Sequence, residues 1–366
     1  MRFVKTQDLK TGMRIARPIY NKKGVLLYDR DSKLTSASIT SIQNFGLIGI
    51  FVLDPAEPLP PMTEEDMEFE RFQAVQVFAI RDELKEIVAT RRAHRTEAIA
   101  NEINKTFGHL HHRVNFIQNI RSKEDYVCKH SLNVAILAAM MCKQMNAQPA
   151  DITDCLMACL VHDIGKTTIP DNLLQDEDPE EMERILENAQ ETGFELLETV
   201  FASNANIKRI SVQTKMLLDC IKYSREPEKM KILLGTRVLL VAETFDSMTA
   251  MSASGEGEPS SYVEALRYLL KYPDIFNKKA VEALVNSIEI LSNGTSVELN
   301  NGRTALVLNT NTTDILYPMV LDLSTNQIMD LSDRRMFGDI EIVDVVKKMD
   351  KRHVVSDEDL KKLGLK

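Results

Sequence analysis

Two consecutive apolar segments set the strongest limit on what this chain can fold into. One runs from Ser122 to about Met145 and the other from Pro149 to Val161 or His162. Their length and apolar patterning read as helices. Ser122-Lys123-Glu124-Asp125 resembles a capping box at the first, and Pro149 with Asp151 opens the second. The second ends on His162-Asp163-Ile164-Gly165-Lys166, where Gly165 and then Pro170 stop the helix. His130 lies near the start of the first. Beyond His162 no histidine occurs until His353.

The same reading extends along the 366 residues, enough for two or three domains. Residues 1–58 form a small β-rich module. Its short strands are Met13 to Ala16, Val25 to Tyr28 and Ile48 to Leu53, with a turn at Asn21-Lys22-Lys23-Gly24 and a helix from Ser36 to Phe45. Proline-rich Asp54 to Pro61 marks a boundary. Residues 59–125 hold a linker and a long charged segment, Thr63 to Phe107, without Gly or Pro. Phe72, Val75, Val77, Phe78, Ile80, Leu84 and Ile87 give it a helical stripe. A helix this long beside a boundary packs on the next domain or a second subunit, so a homodimer through 63–107 is expected.

Residues 126–291 are helical, with a third helix opened by Asp178-Pro179 and a Gly/Ser/Glu-rich loop from Ser252 to Ser261. The helical pattern from Tyr262 to Leu291 is interrupted near Pro273. Residues 292–366 change character. Thr295 to Leu299, Thr304 to Asn309 and Tyr317 to Leu323 are strands, and Asn300-Asn301-Gly302 is a hairpin turn. The expected fold is mainly α, an all-helical bundle flanked by small β modules.

Composition narrows the function classes. A net charge of −9 argues against binding a nucleic-acid polymer. No apolar run has the length of a membrane span, and the N-terminus lacks a secretory apolar region. Cys128, Cys142, Cys155, Cys159 and Cys220 form no CxxC pair and read as buried free thiols of a cytoplasmic protein. His109, His111 and His112 invite a metal reading, but no neighbouring Cys or carboxylate completes a usual ligand spacing.

The residue types at the end of the second apolar helix point to a metal. A hard divalent ion such as Mn(II) or Fe(II) is commonly held by imidazoles and carboxylates, and bound to it a water becomes a nucleophile toward a phosphodiester. His130, His162 and Asp163 are the candidate ligands. Lys166 is the candidate cation for a phosphate oxygen. The other reading is a hydrogen-bonded buried pair that no longer holds metal.

His130-Ser131-Leu132-Asn133-Val134-Ala135, followed by Leu160-Val161-His162-Asp163-Ile164-Gly165-Lys166-Thr167-Thr168-Ile169-Pro170-Asp171, resembles the HD-GYP branch of the HD phosphohydrolase superfamily. Val238 to Thr249 resembles the family's helix written V-A-D-x-F-D-A-L-T. Members are helical metal-dependent enzymes that hydrolyse cyclic di-GMP. The resemblance implies that His130, His162 and Asp163 are metal ligands, that Asp163 and Lys166 are catalytic, and that Glu243 stands at a ligand Asp. Asp246 falls at that helix's second Asp, in a structural role.

The departures from the family are large. Ala189 stands where the family has a His. Residues 210–234 contain neither the His-His-Glu run nor the Asp-Gly-x-Gly-Tyr-Pro loop, and the Arg-Pro-Tyr-Arg run is missing. The resemblance therefore implies at most one divalent metal, Mn or Fe, on His130, His162, Asp163 and Glu243. It implies a signalling or scaffold protein that binds cyclic di-GMP or another nucleotide, or a protein partner, without phosphodiesterase activity. The alternative is an active single-metal phosphohydrolase.

Overall fold

The computed structural model describes residues 2–345 except 46, 48, 54–61, 117–119, 122–124, 171–172, 174–177, 253–258, 292 and 312–313. The expected proline-rich boundary, most of the capping box at Ser122 and most of the Gly/Ser/Glu loop lie outside the described residues. The fold is mainly α, with small antiparallel sheets toward both ends. The chain divides into two compact units, Met1–Ser260 with Tyr268–Ile288, and Ser261–Arg267 with Glu289–Lys366. No helix among the described residues is long and apolar enough to cross a membrane.

The first unit begins with β1 (Arg2–Lys5), β2 (Arg14–Ile15), β3 (Ile19–Tyr20), β4 (Leu26–Tyr28), α1 (Ser36–Asn44) and β5 (Gly49–Leu53). β5 lies between β1 and β2, pairing antiparallel with both, with Ile15 opposite Val52. Their inward residues Val4, Ile15, Ile50 and Val52 close a small core with Ile42 of α1. The expected turn at Asn21 to Gly24 joins β3 to β4 in a hairpin, and there the Asn21 carboxamide accepts from the backbone N–H of Lys23 and Val25. β1 and β3 are not evident from sequence.

The segment expected as one helix over 63–107 is two, α2 (Glu64–Thr90) and α3 (Thr96–Phe107). Thr63 and Asp66 cap α2 reciprocally. Arg91 turns the chain at φ 59°, and the break is held by Glu83. Its buried Oε1 accepts from the backbone N–H of His94, Arg95 and Thr96 and from the Thr96 hydroxyl. Three otherwise unpartnered donors at the start of α3 are satisfied by one carboxylate at a site that also favours negative charge. The apolar stripe of α2 is used within the unit, where Phe69 meets Phe107 and Phe116 edge to face.

After β6 (Ile120–Arg121), the bundle is built on α4 (Tyr126–Gln144) and α5 (Pro149–Val161). Every residue of α4 from His130 to Cys142 is buried. Burial around the whole circumference makes it the central helix. The chain continues through α6 (Pro179–Val200), α7 (Ala205–Lys222), α8 (Leu234–Thr249), β7 (Met251–Ser252), α9 (Tyr262–Lys271) and α10 (Lys278–Ser287). α4 packs on α3, α5, α8 and α10. Cys128, Cys142, Cys155 and Cys159 are buried free thiols, and Cys220 is partly exposed.

The second unit carries β8 (Ser296–Leu299), β9 (Thr304–Asn309), β10 (Met319–Asp322), β11 (Ile328–Asp330), the short α11 (Arg334–Phe337) and β12 (Ile342–Val345). They make one antiparallel sheet in the order β11-β10-β9-β8-β12. Asn300-Asn301-Gly302 turns β8 into β9 as expected. Gly302 takes φ 75°, a conformation that suits glycine, and the turn closes through Gly302 N–H to Leu299 O at 2.9 Å.

Candidate metal centre

Three helices aim the site. α5 delivers His162 at its C-terminal end, and the chain tightens at once into a 3-10 turn, Ile164–Thr168. That turn presses backbone to backbone on α6. A Cβ added at Gly165 would lie 1.8 Å from the Ala189 carbonyl oxygen, and one at Gly193 would lie 3.0 Å from the Gly165 nitrogen. Only glycine permits this approach. It fixes where Asp163 and Lys166 leave the helix end. The Gln190 carboxamide further donates to the His162 carbonyl at 3.4 Å. α4 supplies His130, and α8 supplies Asp246 and Glu243.

His130, His162 and Asp163 are all buried, and one ligand atom from each lies within 4.8 Å of the other two. His130 Nε2 and His162 Nε2 are 3.2 Å apart. Asp163 Oδ2 is 3.8 Å from the first and 3.9 Å from the second. The outer nitrogens decide what the inner ones present. His130 Nδ1 is 2.7 Å from the carboxylate of Asp246, and His162 Nδ1 is 2.9 Å from the Cys159 carbonyl. Both partners accept, so both Nδ1 atoms carry the proton. Burial holds the His130 imidazole well below its ordinary value, at about 4, against the pull of the Asp246 carboxylate. Neutral rings in these tautomers turn two lone pairs toward each other beside a carboxylate. That is a donor set for one divalent cation, which relieves the mutual repulsion of the lone pairs.

Burial works against ionisation of Asp163, but the Lys166 ammonium and the two imidazoles outweigh it and hold the carboxyl well below the usual range. Lys166 Nζ sits 2.6 Å from Asp163 Oδ2, and that carboxylate raises the ammonium above its ordinary range despite burial. The Lys166 side chain is 30% exposed and that of Asp163 only 3%, so the ammonium stands at the outer edge of the buried group. Tyr126 stacks on the His130 ring at 5.5 Å, and Lys166 Nζ is 5.8 Å from the Tyr126 ring centre.

Glu243 is not in the His-His-Asp group. It is half-buried one turn before Asp246, close enough for its carboxyl to feel the charges of His162, Asp163 and Lys166. Burial raises its carboxyl above the ordinary value. Asp246 is the residue whose part sequence reading leaves vague. It is fully buried, and besides His130 it accepts from the Asn133 carboxamide at 3.1 Å.

The remaining candidates lie elsewhere. Lys143 Nζ donates to the His109 carbonyl at 3.0 Å and to His111 Nδ1 at 3.1 Å, while His112 Nε2 pairs with Glu65 at 2.8 Å. Among the described residues these three histidines form no group that could hold a metal. Ala189 is buried against Gly165. On α7, Gln213 is turned toward the chain entering α8. It donates to Lys231 O and accepts from Leu233 N–H and the Thr236 hydroxyl. Among the described residues no second group of metal-ligating side chains occurs.

The family model of the HD domain matches residues 127–259. That span contains His130, His162, Asp163 and the α8 carboxylates. A curated cyclic di-GMP phosphodiesterase of Pseudomonas aeruginosa is 23% identical to the chain over 205 residues, 55% of this chain. The chain spans about half of that relative, 49% of its length. Together the two matches support the HD phosphohydrolase superfamily. Within the matched span the buried His-His-Asp group lies where α4, α5 and α8 meet.

Proposed function

We propose that this chain is a divergent HD-GYP-type protein of cyclic-dinucleotide signalling, which holds at most one divalent metal and binds nucleotide without hydrolysing it. The observation that carries this reading is the size of the donor set. His130, His162 and Asp163 converge, no second group of metal-ligating side chains occurs among the described residues, and Ala189 stands where the resemblance calls for a His. A paired site clamps both the attacking and the leaving oxygen of a displaced phosphodiester, and one metal does not.

In this reading His130, His162 and Asp163 hold the ion and Glu243 stands by as a further carboxylate. A bound Mn(II) or Fe(II) supplies Lewis acidity toward a phosphate oxygen. The chain's own groups do the rest. Asp246 and the Cys159 carbonyl keep both rings in the metal-binding tautomer. The buried Asp163 stays ionised because Lys166 offsets its charge. Lys166, at the edge of the group, offers an ammonium to a phosphate of the nucleotide.

A second reading is favoured by the intact triad with Lys166 at its mouth: a single-metal phosphohydrolase with a different substrate. One experiment separates them. The Mn(II)-loaded protein is titrated with cyclic di-GMP by calorimetry, then incubated with it and the products are resolved by chromatography. Binding with the ligand recovered intact supports the proposal. Appearance of the linear dinucleotide contradicts it, and turnover of a generic activated phosphodiester with no cyclic di-GMP binding selects the second reading.

A further inference from the structure

Behind the metal-facing group runs a line of buried side chains that begins on another helix. Gln73 of α2 donates through Nε2 to Asn133 Oδ1 at 3.1 Å. Asn133 Nδ2 donates to Asp246 Oδ1 at 3.1 Å. Asp246 Oδ2 accepts from His130 Nδ1 at 2.7 Å, and His130 Nε2 then faces His162. The exposures are 2% for Gln73, 0% for Asn133 and Asp246, and 1% for His130. Three helices, α2, α4 and α8, each contribute a link.

The direction of the chain is chemically fixed. Asn133 presents its NH2 to Asp246 Oδ1, which accepts it. Its oxygen then points at Gln73, which must answer with its own NH2. Turning either amide over would set oxygen against oxygen in a dry interior, where an unmet polar group costs about 1–3 kcal/mol. The relay therefore holds Asp246 as an acceptor and, through it, holds the proton of His130 on Nδ1. The residues that follow Asn133 on the central helix, Val134 to Cys142, are apolar and buried, so packing alone does not call for a carboxamide at position 133. An isosteric leucine would fill the space.

We propose that Gln73 and Asn133 are positioning residues for the metal centre: through Asp246 they fix the tautomer and orientation of His130 and so set the affinity for the ion. This rests on the metal reading given above. Gln73 also lines a cavity of about 160 Å³ with Arg17, Phe51 and Glu70, beneath the N-terminal sheet. The relay thus ties the seat of that sheet on α2 to the metal ligand.

The test uses the full chain with Asn133→Leu and Gln73→Met, which keep shape and remove the donor. Gln73→Glu serves as a second α2 variant, because it keeps the polarity and removes the donor when ionised. Two readouts are taken on each. Mn(II) affinity by calorimetry is expected to fall roughly tenfold to a hundredfold in Asn133→Leu, and by a smaller factor in the Gln73 variants. In the metal-free protein, long-range proton–nitrogen NMR of the His130 ring is expected to show the Nδ1–H tautomer in the wild type and a mixture in the variants.

Wild-type affinity together with an unchanged His130 tautomer in variants that fold would overturn the proposal. The two readouts also separate it from the reading beneath it. If the wild type binds no Mn(II), the metal reading fails, and the tautomer measurement alone decides the relay. A shift in the variants supports it and no shift overturns it.

Discussion

The carboxylate of Asp246 reaches His130 Nδ1 at 2.7 Å from a helix 116 residues further along the chain. This contact orients a histidine of a buried helix as the proposed metal site requires. It places the proton on the outer nitrogen and leaves the inner one bare. Asp246→Asn keeps the shape but offers an amide that can present either end. The expected result is a loss of roughly 10–100-fold in Mn(II) affinity with little change in fold. Calorimetric titration beside a circular dichroism spectrum checks both halves.

His130 is neutral and buried, with its titration pushed down to about 4 from an unfolded value near 6.5. Between those two values the unfolded chain binds a proton that the native chain refuses. For metal-free protein this contribution is therefore fully present above pH 6.5, and is lost as pH falls from there through 4. The loss is about 3 kcal/mol at most. Urea midpoints of wild type and His130→Gln, taken from pH 7 to pH 4, are expected to converge as the pH falls. Parallel curves over that window would mean the imidazole is solvated.

Gly165 and Gly193 allow the turn carrying Asp163 to lie on α6 without side chains between them. Gly165→Ala would drive a Cβ into the Ala189 carbonyl, at 1.8 Å. Because the obstacle is backbone, relaxation is poor, and a cost of about 2–4 kcal/mol is expected. Gly193→Ala meets backbone atoms no nearer than 3.0 Å and should cost less. Thermal melts of the two variants should rank in that order.

Glu83 stands in for the missing first-turn partners of α3. Glu83→Ala leaves three backbone N–H groups without their acceptor, for an expected loss of about 3 kcal/mol. Glu83→Gln keeps an acceptor oxygen and is expected to retain most of the stability. Hydrogen exchange at Arg95 and Thr96 reports the local effect, which should be fast in the alanine variant and slow in the glutamine one.

How far these features could be read beforehand depends on how local their causes are. α4, α5, the turn at Asn300-Asn301-Gly302 and the His162-Asp163 pair are written in short stretches, and the structure places them as expected. The break between α2 and α3 is not, since the deciding residue, Glu83, lies twelve or so positions before the donors it satisfies and looks like one more charge on a helix face. Glu243 and Asp246 share a helix, and the sequence favours the first as the ligand. The structure puts Asp246 behind His130 and leaves Glu243 outside the converged group. Asn133 did carry a local signal, a carboxamide inside an otherwise apolar helix three positions after His130. Its partner Gln73, sixty residues upstream, carried none.

The most direct test of a one-metal His-His-Asp site is the metal stoichiometry of the full chain, purified without chelator, equilibrated with Mn(II) and analysed by elemental mass spectrometry. One ion per chain in the wild type, and none in His162→Ala, is the predicted result. Two ions per chain, or one that persists in His162→Ala, would contradict the account.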